Sequence, residues 1–214
     1  MNDFLNRINQ YCEAHSTPPS PLLYQLERET HLKTLAPQML SGPLQGQLLS
    51  LLSKIQRPKA ILEIGTFTGY AALCLAQGLP EGGTLHTIEA NPELEYLIRK
   101  YIALAGLQNK IHLHIGDALE VIPQLEGSFD LVFIDAGKQD YALYYDLVID
   151  RVEPGGLIIA DNVLWSGKVT SPAEREGDAD TRLIHQFNEK VQQDPRVENI
   201  LLPLRDGLLI ARKV

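Results

Sequence analysis

The chain has 214 residues, 44% hydrophobic and 21% charged, with 19 basic against 27 acidic side chains and a formal net charge of −8. That balance excludes a disordered chain, a collagen and a coiled-coil rod. It also argues against a large nucleic-acid footprint or an anionic-membrane surface protein, since both need clustered Lys and Arg. At about 150 residues per domain, the length fits one domain with some elaboration, here taken as residues 1–214. Two cysteines, Cys12 and Cys74, make no disulfide framework, and a cytoplasmic location is expected. The start, Met1 to Arg7, lacks the basic and apolar regions of a signal peptide. No apolar stretch approaches the ~20 residues that span a bilayer.

In chain order, Leu5, Ile8 and Tyr11 at helical spacing predict a first helix, which Ser16-Thr17-Pro18-Pro19 ends. Leu22, Leu23 and Leu26 with Glu27-Arg28-Glu29 predict a second, amphipathic one. Pro37 to Pro43 reads as a loop and Leu44 to Ile55 as a third helix. Residues 1–56 are thus an expected helical extension ahead of a core over 57–214. From Ala60 the pattern changes to short apolar runs separated by helix-length segments. The runs are Ala60–Ile64, Thr84–Ile88, Ile111–Ile115, Asp130–Ile134 and Gly156–Ala160. Such alternation predicts an α/β fold, a parallel sheet with helices on both faces. Ser171–Asp180 is polar and reads as an exposed loop, and Leu183–Gln193 as a helix. Val197–Leu202 and Gly207–Ala211 complete seven strands. The short Pro203-Leu204-Arg205-Asp206 link cannot hold a crossover helix, so these last two strands should be antiparallel neighbours. The sheet is then mixed and Rossmann-like, with its last strand antiparallel.

The first strand runs into Glu63-Ile64-Gly65-Thr66-Phe67-Thr68-Gly69-Tyr70. Gly65 and Gly69 are placed where a side chain would obstruct a ligand approaching the backbone. Glu89 ends the second strand, 24 residues after Gly65, where an acid receives ribose hydroxyls in nucleotide-type folds. Asp117 follows the third strand at the same sheet edge. The spacing is neither G-x-G-x-x-G nor a P-loop, so a pyrophosphate is not indicated. An acidic loop suits a cationic, phosphate-free cofactor such as S-adenosylmethionine (SAM), a sulfonium with an ammonium and an adenosine.

Asp135 follows the fourth strand, and Asp161-Asn162 follow the fifth. Two carboxylates and an amide oxygen select a hard divalent ion, Mg²⁺ first and Mn²⁺ or Ca²⁺ next, over zinc. Acids at strand ends also cap the helices that follow them. Lys138, three residues after Asp135, can act as general base toward a hydroxyl if its proton is loosened. His112 and His114 alternate in one strand and share a face, but as zinc ligands they lack partners nearby in sequence.

These segments resemble the cation-dependent class I SAM O-methyltransferases, the catechol and caffeoyl-coenzyme A O-methyltransferases and above all their bacterial members. The match rests on Leu62 to Tyr70, Ile88 to Pro92, Gly116-Asp117-Ala118, Phe133 to Lys138, Ala160 to Leu164 and Arg205-Asp206-Gly207-Leu208. The resemblance implies methyl transfer to one hydroxyl of a vicinal dihydroxy aromatic of catechol, caffeoyl or flavonoid type. Glu89 would bind the SAM ribose, with Glu63, Gly65 and Phe67 along the cofactor. Met39 and Tyr70 would lie at the methionine end, and Asp117 and Ala118 at the adenine. Asp135 would serve both SAM and the cation, with Asp161 and Asn162 completing the metal set. Lys138 and Trp165 would face the acceptor. Residues 1–56 would cover the active site, and a homodimer is implied. The family's mammalian catechol enzyme has a carboxylate near the last strands, where this chain has Ile200. That leaves the acceptor and its regiochemistry open. Other readings are a tRNA hydroxyuridine O-methyltransferase, which the net charge opposes, and a SAM-binding regulator without catalysis. A nicotinamide oxidoreductase lacks its glycine fingerprint.

Overall fold

The computed structural model describes residues 2–214; Met1, and the side chains of Asn2, Asp3, Leu5 and Asn6, lie outside the described residues. The reading of the chain start that uses Met1 lies in part outside the described residues, whereas the first helix, read on Leu5, Ile8 and Tyr11, is present over Asn2–Ala14.

Three helices come first, α1 (Asn2–Ala14), α2 (Pro21–Lys33) and α3 (Gly42–Gln56). The start of α2 is written into its sequence. Ser20 accepts the Leu23 amide, Pro21 fills the first helical position, and His31 and Lys33 sit in the last turn. The loop expected from Pro37 to Pro43 is shorter: Pro37–Met39 form a 3-10 turn, and α3 already begins at Gly42.

Seven strands follow: β1 (Ala60–Ile64), β2 (Thr84–Glu89), β3 (Ile111–Ile115), β4 (Phe129–Ile134), β5 (Val152–Asp161), β6 (Val197–Leu202) and β7 (Leu208–Lys213). They form one sheet in the order β3-β2-β1-β4-β5-β7-β6. The first five run parallel, and β7 is antiparallel to both β5 and β6. This is the mixed sheet that the sequence predicts. Helices α4 (Tyr70–Leu75), α5 (Glu95–Leu104), α6 (Ala118–Val121), α7 (Tyr141–Val148), α8 (Pro172–Gly177) and α9 (Ala179–Gln193) connect the strands.

Strand residues alternate between two apolar layers. Ile61, Leu85, Leu131 and Phe133 pack with Leu26, Leu49, Leu75 and Tyr101 of α2, α3, α4 and α5. Leu62, Ile64, Val132 and Ile134 pack on the other face with Tyr141, Tyr145 and Phe187 of α7 and α9. Each fully buried Leu or Phe contributes on the order of 2 kcal/mol.

One expectation fails outright. Ser171–Asp180 is not all loop: Pro172–Gly177 is helical, with the Ser171 hydroxyl accepting the Glu174 amide. The segment is polar because it lies on the surface, and its Ser-x-x-Glu start is a helix signal that composition alone obscures.

The chain runs outward from β1 to β2 and β3, then returns to place β4 on the other side of β1. Ligands of open α/β sheets bind at such a reversal, beyond the carboxyl ends of the strands. The segments after β1 and β4 meet there.

Candidate active site

A cleft of about 940 Å³ opens at this reversal, a size that suits a small organic ligand. Gly65, Phe67, Glu89, Asp117, Ala118 and Asp135 line it, as does Met39 from the segment ahead of α3. Seven of the nine positions that the sequence places along the cofactor therefore meet in one space.

Glu89 is fixed from both sides. Its Oε2 accepts the Phe67 amide at 2.7 Å, and its Oε1 accepts the Asn91 amide at 2.8 Å. Burial pushes its carboxyl above the usual range, while these amides pull it down. Each oxygen keeps a lone pair for a hydroxyl donor. Asp117 also caps α6, accepting the Leu119 amide at 2.8 Å.

The two glycines have different reasons. A Cβ on Gly65 would stand 2.0 Å from the Asp135 carbonyl oxygen. That position is closed by the β4 segment itself. Gly69 has space, with only Ile98 at 3.7 Å, and is needed for its φ of 93°.

Glu63 and Tyr70 do not line the cleft. Glu63 is wholly buried beneath it, accepting the Thr87 hydroxyl, which is also paired with Thr66. Burial pushes its carboxyl up to about 8, and its Oε1 has no partner among the described residues. The Tyr70 ring turns toward α3, where a Cβ on Gly46 would come within 2.6 Å of it.

At the adjoining edge, Lys138 Nζ donates to Asp135 Oδ1 at 3.1 Å, Tyr141 Oη at 2.6 Å and Asn162 Oδ1 at 2.8 Å. Asp161 is held by two donors: the Asn162 amide reaches its Oδ1 at 2.7 Å and Gln45 Nε2 its Oδ2 at 2.8 Å. Burial pushes the Asp135 carboxyl above the usual carboxylate range, with Lys138 opposing and Asp161 adding to the rise. Asp135 caps no helix; Gly137 occupies the cap position of the turn that follows. Asp135, Asp161 and Asn162 thus bring oxygen donors to one edge, and oxygen donors are what a hard divalent ion takes. Two of these oxygens already face one cationic atom, the Lys138 nitrogen.

The sequence reasoning missed Gln45 and Tyr141. Gln45 is fully buried in the first turn of α3, and its Oε1 has no partner among the described residues. It lies 116 residues from Asp161, so no local spacing signals the pair. Tyr141, three residues after Lys138, has a helical-turn spacing that does signal contact. Trp165 is half-buried in the loop after Asn162, with φ 50°. The turn ahead of β7 pins that loop, its Asp206 carbonyl accepting the Leu164 amide at 2.9 Å.

His112 and His114 do have a neighbour: His86 on β2, whose Nδ1 lies 3.0 Å from His114 Nε2. Burial pushes His86 down to about 4, and the other imidazoles add to this. Among the described residues, no three His, Cys, Asp or Glu side chains are arranged to hold a metal. Cys12 and Cys74 are both free. No described helix is long and apolar enough to cross a membrane.

The O-methyltransferase family profile matches residues 13–214. Caffeoyl-CoA O-methyltransferase 2 of Populus trichocarpa is 37% identical over 180 residues, covering 79% of this chain and 73% of that protein. Catechol O-methyltransferase domain-containing protein 1 of Mus musculus is 35% identical over 214 residues, covering 98% and 80%. The crystal structure of an O-methyltransferase from Bacillus cereus in complex with SAH superimposes with a TM-score of 0.87 at 31% identity, covering 97% of each chain. With its sheet order, its cleft at the β1–β4 reversal and these relatives, the chain belongs to the SAM-dependent O-methyltransferase family.

Proposed function

We propose that this enzyme transfers a methyl group from SAM to one hydroxyl of a vicinal dihydroxy aromatic, aided by a divalent cation at Asp135, Asp161 and Asn162. The carrying observation is the convergence of Asp135 Oδ1 and Asn162 Oδ1 on one cationic atom, at 3.1 and 2.8 Å, beside the cleft. Caffeoyl-CoA and catechol, which name two of the relatives, share a ring with adjacent hydroxyls, and that supports the acceptor class.

SAM supplies an electrophilic methyl group on a sulfonium. Glu89 would take its ribose hydroxyls, Asp117 and Ala118 would border the adenine, and Met39 and Phe67 would hold the remainder. A divalent ion lowers the pKa of a hydroxyl it binds and neutralises the resulting anion. Lys138 stands at the same edge, where as the neutral amine it would receive the proton and as the ammonium it would hold the anion. Methyl transfer needs little covalent help, so the residues act chiefly by position and charge. Helices α2 and α3 and the Trp165 loop would wall the acceptor side.

The test is Asp161→Ala beside wild type. Calorimetric titration with Mn²⁺ should show affinity reduced by about 10-fold or more, while SAM affinity holds. Methylation of catechols should be lost with it. Full turnover of wild type in excess chelator would overturn the cation role. A panel of catechols and phenylpropanoids that gains no methyl group would overturn the acceptor class.

A further inference from the structure

The turn between β6 and β7 carries a charge that this chemistry does not use. Arg205 is exposed, and its side chain makes no hydrogen bond or ion pair among the described residues. Its backbone is held at φ 51°, the left-handed region that glycine tolerates best. A long charged side chain at such a position is an outlier that points to a use.

Its place suggests which. Arg205 Nη1 lies 3.7 Å from where a Cβ on Gly42 would stand. Gly42 opens α3 three residues before Gln45, so both share one face of that helix. Gln45 is the residue that grips Asp161. The guanidinium therefore spans from the β6–β7 turn to the helical turn that supports the acid edge. Its positive field reaches Asp135 and Asp206, yet it pairs with neither. Asp206 instead turns its Oδ1 to the Ser166 amide. Lys138, the other cation of this edge, is fully engaged by its three acceptors.

We propose that Arg205 is an anion subsite of the acceptor pocket, binding a carboxylate or phosphate oxygen carried on the tail of the dihydroxy aromatic. The enzyme then prefers an anionic acceptor to a neutral catechol. This rests on the acceptor class proposed above. A guanidinium fork matches both groups in bidentate geometry, and an ammonium does not.

Steady-state kinetics with catechol, 3,4-dihydroxybenzoate and caffeoyl-CoA, at fixed Mg²⁺ and saturating SAM, test it in wild type, Arg205→Lys and Arg205→Gln. Arg205→Gln should raise KM for at least one anionic acceptor by about tenfold or more, with kcat held within about twofold. Its KM for catechol should stay within about twofold, and Arg205→Lys should fall between. A response confined to the benzoate identifies a carboxylate as the ligand, and one confined to the thioester identifies the phosphates. Equal changes on all three acceptors, or none, would overturn the subsite. If wild type methylates catechol without preferring either anion, the subsite fails and the proposed function stands. No transfer to any of the three overturns both.

Discussion

Lys138 has no N–H to spare: Asp135, Tyr141 and Asn162 accept all three. Such a nest suits an ammonium, so the proton role and the charge role need separating. Lys138→Ala should lower kcat by roughly 10²-fold or more if the lysine moves a proton. Lys138→Arg keeps the charge, but a guanidinium does not deprotonate. A base role requires the arginine variant to fall as far as the alanine one; near-full activity in Lys138→Arg assigns Lys138 to charge alone. Asp135, Lys138, Asp161 and Asn162 were legible in sequence because they follow recognisable strand ends. Gln45 was not, because helix α3 reaches Asp161 only through the fold. Nor was the burial of Glu63. It stands between Leu62 and Ile64 in a strand covered on both faces, so alternation does not distinguish cleft from core.

The elements at the sheet's last edge are locked by close backbone approach. A Cβ on Gly207, which has φ 92°, would come within 2.5 Å of Leu164 Cγ and 2.7 Å of the Leu164 amide nitrogen. Gly82 has φ 74° and nothing within 4 Å of such an atom. Gly207→Ala should therefore cost about 2–4 kcal/mol and Gly82→Ala about 1–2 kcal/mol, the second reflecting conformation alone. Thermal unfolding of both variants measures the difference, and equal losses would show that the Leu164 contact does not matter. The antiparallel β6–β7 pair was readable because its link is too short for any alternative. Helix α8 was not, since a helix polar on all sides has no hydrophobic period to detect. The first two strands on each side of the reversal were bounded to within a residue or two, except β5, which starts four residues early, at Val152, and runs on through Glu153-Pro154-Gly155. Pro154 and Gly155 carry no strand propensity, and the extension is held by pairing of Val152 with Phe129.

At the scale of the whole molecule, acidity has two components. Most of the 27 acidic side chains solvate the surface, but Glu63 lies within the sheet and has a stability consequence. Its folded carboxyl is raised to about 8 by burial, from 4.5. The folded state thus keeps a proton that the unfolded chain releases between those values. The sign follows: this residue's contribution to stability is greatest below about pH 4.5 and is lost as pH rises toward 8, at about 1.4 kcal/mol per pH unit. Glu63→Gln should remove that slope. Urea unfolding of both proteins at pH 5 and about pH 8 reads it as a difference, and parallel pH curves would refute a buried neutral acid.

The contact between Gly65 and the Asp135 carbonyl has a mechanical meaning. With 2.0 Å of room for a side-chain carbon, the segment after β1 and the segment after β4 touch backbone to backbone. One carries Phe67 to the cleft beside Glu89, and the other carries the acid edge. Neither can be displaced without pressing on its neighbour. Any coupling that this contact carries between the two sides is, by thermodynamic reciprocity, equal in both directions.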